Sequence, residues 1–90
     1  MFTGHLNESE LAISLQESMK KVEIGAVYVS SKDPTKPYLV LHIGLWEMTE
    51  EPAVVYQALY GEKIVWIRPL SKFTEMIEHE GQMVSRFYKL

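Results

Sequence analysis

Val54–Tyr60 and Ile64–Arg68 are two runs of strand-forming residues separated by the tight turn Gly61-Glu62-Lys63. That unit restricts the fold more than any other part of the chain. Its first arm carries apolar side chains on both faces: Val54, Tyr56, Ala58 and Tyr60 share one side, and Val55 and Leu59 share the other with Gln57. A strand apolar on both faces belongs inside a sheet or beneath a covering element. Pro69 ends the second arm, because proline cannot donate a ladder hydrogen bond. The sequence therefore predicts a mainly β protein.

The flanking segments extend this reading. Asn7 is a good N-cap, and Glu10 three residues on completes a variant of the capping box, so a helix is predicted at the N-terminus. Leu11, Leu15, Met19 and Val22, with Ala12 beside them, form its apolar stripe; Ser14, Gln16, Glu17 and Lys20 fill the other face. From Glu23 the period changes to two. Ile24–Val29 is read as a strand opened by Gly25, and 30–37 as a loop. In Tyr38–Leu45 the face Leu39, Leu41, Ile43 and Leu45 is expected inward, with Tyr38, Val40, His42 and Gly44 opposite. Glu47–Pro52 is an acidic turn. Pro69–Lys72 suggests one helical turn, and Phe73–Glu78 with Met83–Tyr88 a last hairpin across His79–Gln82, where Gly81 is free to take positive φ.

Five to six short antiparallel strands behind one helix suggest a small, strongly bent barrel or roll, with a closed barrel the economical form. The 90 residues are enough for one domain. Residues 1–22 are expected to be a helical extension packed on a β-barrel domain of residues 23–90.

Composition narrows the function classes. The absence of cysteine removes disulfides and thiolate zinc sites, and fits a reducing, cytoplasmic compartment. Residues 1–5 place no positive charge before an apolar run, so no signal peptide is read there. The longest apolar stretch, Tyr38 to Trp46, falls far short of the roughly 20 residues a membrane helix needs. A net charge of −3 argues against nucleic acid or anionic lipid as a partner.

His5, His42 and His79 show no metal-ligand spacing, and the five glycines are scattered singly rather than grouped in a phosphate loop. No serine sits in a nucleophile elbow. Neither a metal nor a cofactor is expected, and no catalytic residues are assigned.

Longer motifs bring a resemblance. The run Thr49-Glu50-Glu51-Pro52-Ala53-Val54-Val55-Tyr56-Gln57-Ala58-Leu59-Tyr60-Gly61, then Trp66-Ile67-Arg68-Pro69-Leu70, Phe73 and Arg86-Phe87, resembles the bacterial family catalogued as domain of unknown function 1653. The likeness spans roughly residues 25–87. It implies an SH3-like β-barrel roll of no established activity. Members tend to show His-Ser-Glu-Thr where this chain has Trp46-Glu47-Met48-Thr49, and Pro-Arg-Phe where it has Ser85-Arg86-Phe87. A chemical role of that histidine in relatives would have no counterpart in Trp46.

The candidate site is aromatic plus arginine. Alternation in Ile64-Val65-Trp66-Ile67-Arg68 puts Val65 and Ile67 on one face, expected to fill the barrel, and Trp66 and Arg68 on the other. Tyr56 and Tyr60 are expected beside them, and Arg86 joins if the last strand closes nearby. A ring shelf beside a guanidinium suits planar or anionic groups.

The binding reading names Tyr56, Trp66, Arg68, Arg86 and Trp46, with a peptide or a small planar or anionic molecule as ligand. The competing reading makes Trp66 core and pairs Arg68 with Glu75 or Glu78. A third is a homodimer joined through the helix stripe and a strand edge. An enzyme would need Arg68, Arg86 and a glutamate to converge in one cleft.

Overall fold

The computed structural model describes residues 6–90; His5 and the leader reading of residues 1–5 lie outside them. Helix α1 spans Glu8–Lys21. Its first turn is closed by the capping box: the Asn7 side chain accepts from the Glu10 N–H at 2.9 Å, and Glu10 Oε1 accepts from the Asn7 N–H at 3.0 Å. Lys20 and Lys21 complement the negative end of the helix dipole. Ser18 and Val22 are buried, Leu11, Ser14 and Leu15 half-buried, and Met19 and Ala12 exposed. The inward stripe is thus rotated toward Ser14 and Ser18. Ser18 tolerates this because its hydroxyl donates back to the Ser14 carbonyl at 2.8 Å.

The chain then turns at Ile24-Gly25, where Gly25 takes φ 87°, so strand β1 starts only at Val27 and runs to Ser30. The segment 30–37 is mostly strand rather than loop: after a tight turn at Ser31-Lys32, β2 runs from Asp33 to Trp46. β3 spans Glu51–Ala58 and β4 Val65–Pro69. A single turn of helix, α2 (Leu70–Phe73), leads to the hairpin β5 (Met76–His79) and β6 (Gln82–Ser85). Phe73 is therefore helical, and Tyr88 belongs to a separate strand, β7 (Phe87–Lys89). The hairpin turns on Glu80 (φ 53°) and Gly81 (φ 80°), the pair of positive φ angles that matches strand twist.

One sheet has the order β4-β3-β2-β1-β7, and β5-β6 form a second; all pairings are antiparallel. Among the described residues there are seven strands rather than five or six. They make an open roll, not a closed barrel, because β4 and β7 end the large sheet without pairing. The bend comes from β2, where Val40 pairs with Tyr56 and His42 with Val55, leaving Leu41 as a bulge. That extra residue moves the inward set from Tyr38 and Val40 to Ile43. The expected leucine face is accordingly wrong ahead of the bulge: Val40 is fully buried and Leu39 lies on the opposite face.

Val22, Tyr28, Val40, Ile43, Val54, Tyr56, Leu70 and Phe73 form the core, with Leu15 of α1 and Phe87 packed against it. Among the described residues no helix is long and apolar enough to cross a membrane.

Candidate functional site

The register of β3 and β4 decides which side chains meet. Val54 pairs with Arg68, Tyr56 with Trp66 and Val55 with Ile67. Trp66 and Arg68 thus share the concave face with buried Tyr56, at the rim of the sheet. Val65 and Ile67 are on the convex face, 50% and 60% exposed, and fill no barrel. With the roll open at β4, no strand or helix of the described residues lies over them. Trp66 is half exposed, so it is not the core residue of the competing reading.

Arg68 is held on three sides. Its Nε donates to the Tyr56 hydroxyl at 3.3 Å, its guanidinium lies 5.7 Å from the Phe87 ring centroid, and Nη1 is 3.9 Å from Glu75 Oε2. The same Glu75 oxygen accepts from Arg86 Nε at 2.6 Å. Both backbone groups of Arg86 are also used: its N–H donates to the Glu75 carbonyl and its carbonyl accepts from Ser31, each at 2.9 Å. This fixes Arg86 between β6 and β7 and aims it at the cluster.

The Arg86 hydrogen bond holds the Glu75 carboxyl below its usual range, against a smaller opposing effect of desolvation; the charges of Arg86, Lys72 and Arg68 add to the lowering. A carboxylate so held is a weak base near neutrality. Arg68, Arg86 and a glutamate do converge, and Glu75 serves there as a clip between two cations.

Tyr38, Tyr56, Tyr60, Trp66, Arg68, Arg86, Phe87 and Ser30 surround one open concavity of about 270 Å³. The hydroxyls of Tyr38 and Tyr60 are 2.6 Å apart. Burial, then the hydrogen bond with Tyr60, raises the Tyr38 phenol well above its ordinary value, keeping it neutral. Its ring stands edge-on to Tyr56, Tyr60 and Phe87, and Phe87 stacks on Phe73 at 4.4 Å. The site is therefore rigid on its aromatic side.

Four of the five candidate residues, Tyr56, Trp66, Arg68 and Arg86, meet here. Trp46 does not. It ends β2 on the convex face, beside Ala53, Ile67 and Pro69, around a separate apolar pocket of about 540 Å³. Sequence reasoning missed Tyr38 and Phe87. The signal for Tyr38 was its place two residues before Val40, hidden by the misjudged face of β2; for Phe87 it was adjacency to Arg86. Among the described residues no three His, Asp or Glu side chains come together as a metal site.

Comparison with other proteins bears on the fold and the family. No curated protein matches the chain. A crystal structure of a DUF1653 protein from Bordetella bronchiseptica is similar, with a TM-score of 0.65 and 28% identity, covering 77% of this chain and 87% of that one. The family described as protein of unknown function (DUF1653) matches residues 34–89, so its match begins past Gly25, within β2, and runs through β7. The chain belongs to that family.

Proposed function

We propose that the concave face between β4 and Arg86 is a binding site for a small planar ligand carrying a carboxylate or phosphate. The observation that carries this reading is the convergence of Tyr56, Trp66, Arg68 and Arg86 on one open volume. Trp66 offers a half-exposed ring face to stack on. Arg68 offers donors that Glu75, at 3.9 Å, engages only at long range. The large rings around them order the ligand's plane at little entropic cost, because they are already locked against one another.

The test is a fluorescence titration of a Trp46→Phe protein, in which Trp66 is the remaining tryptophan, with a mononucleotide, an aromatic carboxylate and inorganic phosphate as probes. Saturable quenching by a planar anion, weakened about 10- to 100-fold by Arg68→Ala, is expected, in line with the worth of a charged hydrogen bond. Circular dichroism of Arg68→Ala and Trp66→Ala should stay native, since Trp66 is half exposed and Arg68, though partly buried, lies at the rim of the sheet outside the core. No saturable response to any probe, or unchanged affinity in Arg68→Ala, overturns the reading.

A further inference from the structure

The outer edge of β4 is built to receive another strand. Ala58 donates its N–H to the Ile64 carbonyl at 2.9 Å, so this pair belongs to the hydrogen-bonded set. Alternation along an antiparallel ladder then turns the backbone groups of Trp66 and Arg68 toward β3. Those of Val65 and Ile67 point out, away from the sheet. Pro69 also points out, where its missing N–H costs β3 nothing. Val65, Trp66 and Ile67 are consecutive, apolar and 50%, 49% and 60% exposed on this edge. Proteins usually blunt such an edge with lysine, a bulge or a cover, and among the described residues the middle of β4 has none of these.

We propose that β4 pairs antiparallel with β4 of a second copy of this chain, with Ile67 on the twofold axis. The strand is self-complementary in that register. Ile67 exchanges both its free backbone bonds with its own copy, and each Val65 N–H meets a Pro69 carbonyl, which accepts although proline cannot donate. All five residues of β4 are matched, whereas a register centred on Trp66 sets Pro69 against Lys63, whose φ of 55° lies in the turn.

The charges favour the same arrangement. Arg68, the one charged residue of β4, comes opposite the second copy's Trp66 rather than opposite its own like charge, and a guanidinium beside an indole is attractive. On the convex face Ile67 meets Ile67, and Val65 meets Pro69, covering the exposed apolar strip. The pairing is isologous and closes at two copies. It also brings the second copy's Trp66 beside Arg68, so each concavity gains a ring from the other chain. This goes beyond the ligand-binding reading, since a monomer can still bind.

Because the chain contains no cysteine, crosslinking reads the register directly. Ile67→Cys places two thiols on the axis, with Cα atoms about 5.5 Å apart, within disulfide range. Val65→Cys, on the same face of the same strand, leaves its thiols roughly 14 Å apart. Ile67→Cys is expected to give a covalent dimer under mild oxidant and Val65→Cys a monomer. Light scattering should give the wild type a dimeric mass and Ile67→Lys a monomeric one with unchanged circular dichroism. Ile67 faces away from the concavity, so probe binding by monomeric Ile67→Lys separates the two proposals. A wild-type protein that stays monomeric at millimolar concentration overturns the dimer and leaves the edge to an extended segment of another protein. Equal crosslinking at both positions overturns the register.

Discussion

Glu75 is gripped by two guanidiniums of unequal reach, Arg86 at 2.6 Å and Arg68 at 3.9 Å, and its carboxyl titrates below the ordinary value of 4.5 as a result. A carboxyl whose folded-state pKa is depressed stabilises the fold at pH values above its unfolded pKa. That contribution is lost as pH falls through the folded pKa. Glu75→Gln is therefore expected to melt at a lower temperature than the wild type at pH 7, with the gap closing as pH drops below about 4.5. Thermal melts at pH 7 and pH 3 check this; a gap that stays constant with pH would mean the carboxylate's charge is irrelevant. At this scale the sequence was partly legible. Alternation in β4 and the turn at Gly61–Lys63 are local, so the shared face of Tyr56, Trp66 and Arg68 could be read. The meeting of Arg86 with Glu75 continues the register of the β5-β6 hairpin and was therefore local too. What no local pattern encodes is the return of that hairpin base to Arg68, so the convergence of both arginines could be named only as a condition.

The elements show where period counting succeeds and where it breaks. The capping box is short-range chemistry between Asn7 and Glu10, and the helix starts where that chemistry dictates. The strand β2 is different: a bulge at Leu41 adds one residue on one side of the ladder, and a strict period of two cannot register it. Leu39 and Leu41 outweigh Val40 in hydrophobicity, yet Val40 is the residue with no exposure at all. Val40→Ala is expected to cost about 2 kcal/mol, from lost burial plus the cavity left behind. Leu39→Ala, on the convex side of the same strand, should cost clearly less although it removes more atoms. Urea unfolding of the two variants decides it, and a larger loss for Leu39→Ala would place the bulge elsewhere. The helix stripe holds at Leu15 and Val22 and fails at Met19: Met19 and Ser18 differ by one step of rotation, and the self-satisfied serine takes the inward position.

For the whole molecule, the question is how two sheets behave as one body. The Arg86–Glu75 pair closes the β5-β6 hairpin at its base. The hairpin reaches the large sheet through few groups: the Arg68–Glu75 ion pair and the bonds from Ser31 to the Ser85 and Arg86 carbonyls, with the Phe73–Phe87 stack beside its base. Beyond that base one face is exposed, Met76 at 53% and Met83 at 63%, and Ile77 and Val84 on the other are only half-buried, whereas β2 and β3 hold the fully buried Val40 and Val54. Little apolar surface is then uncovered if the hairpin opens, and the core need not come apart. Native-state hydrogen exchange should accordingly show amides of β5 and β6 exchanging through a local opening, at lower free energy and with weaker denaturant dependence than those of β2 and β3. The opening also releases Arg86 from the concavity's rim, so Glu75→Gln, which loosens the clip, is expected to speed exchange in the hairpin while leaving β2 and β3 protected in proportion to global stability alone. Equal protection of hairpin and sheet, shifted together by the substitution, would instead mean that the two sheets unfold as a single cooperative unit and that the aromatic stack, not the ion pair, joins them.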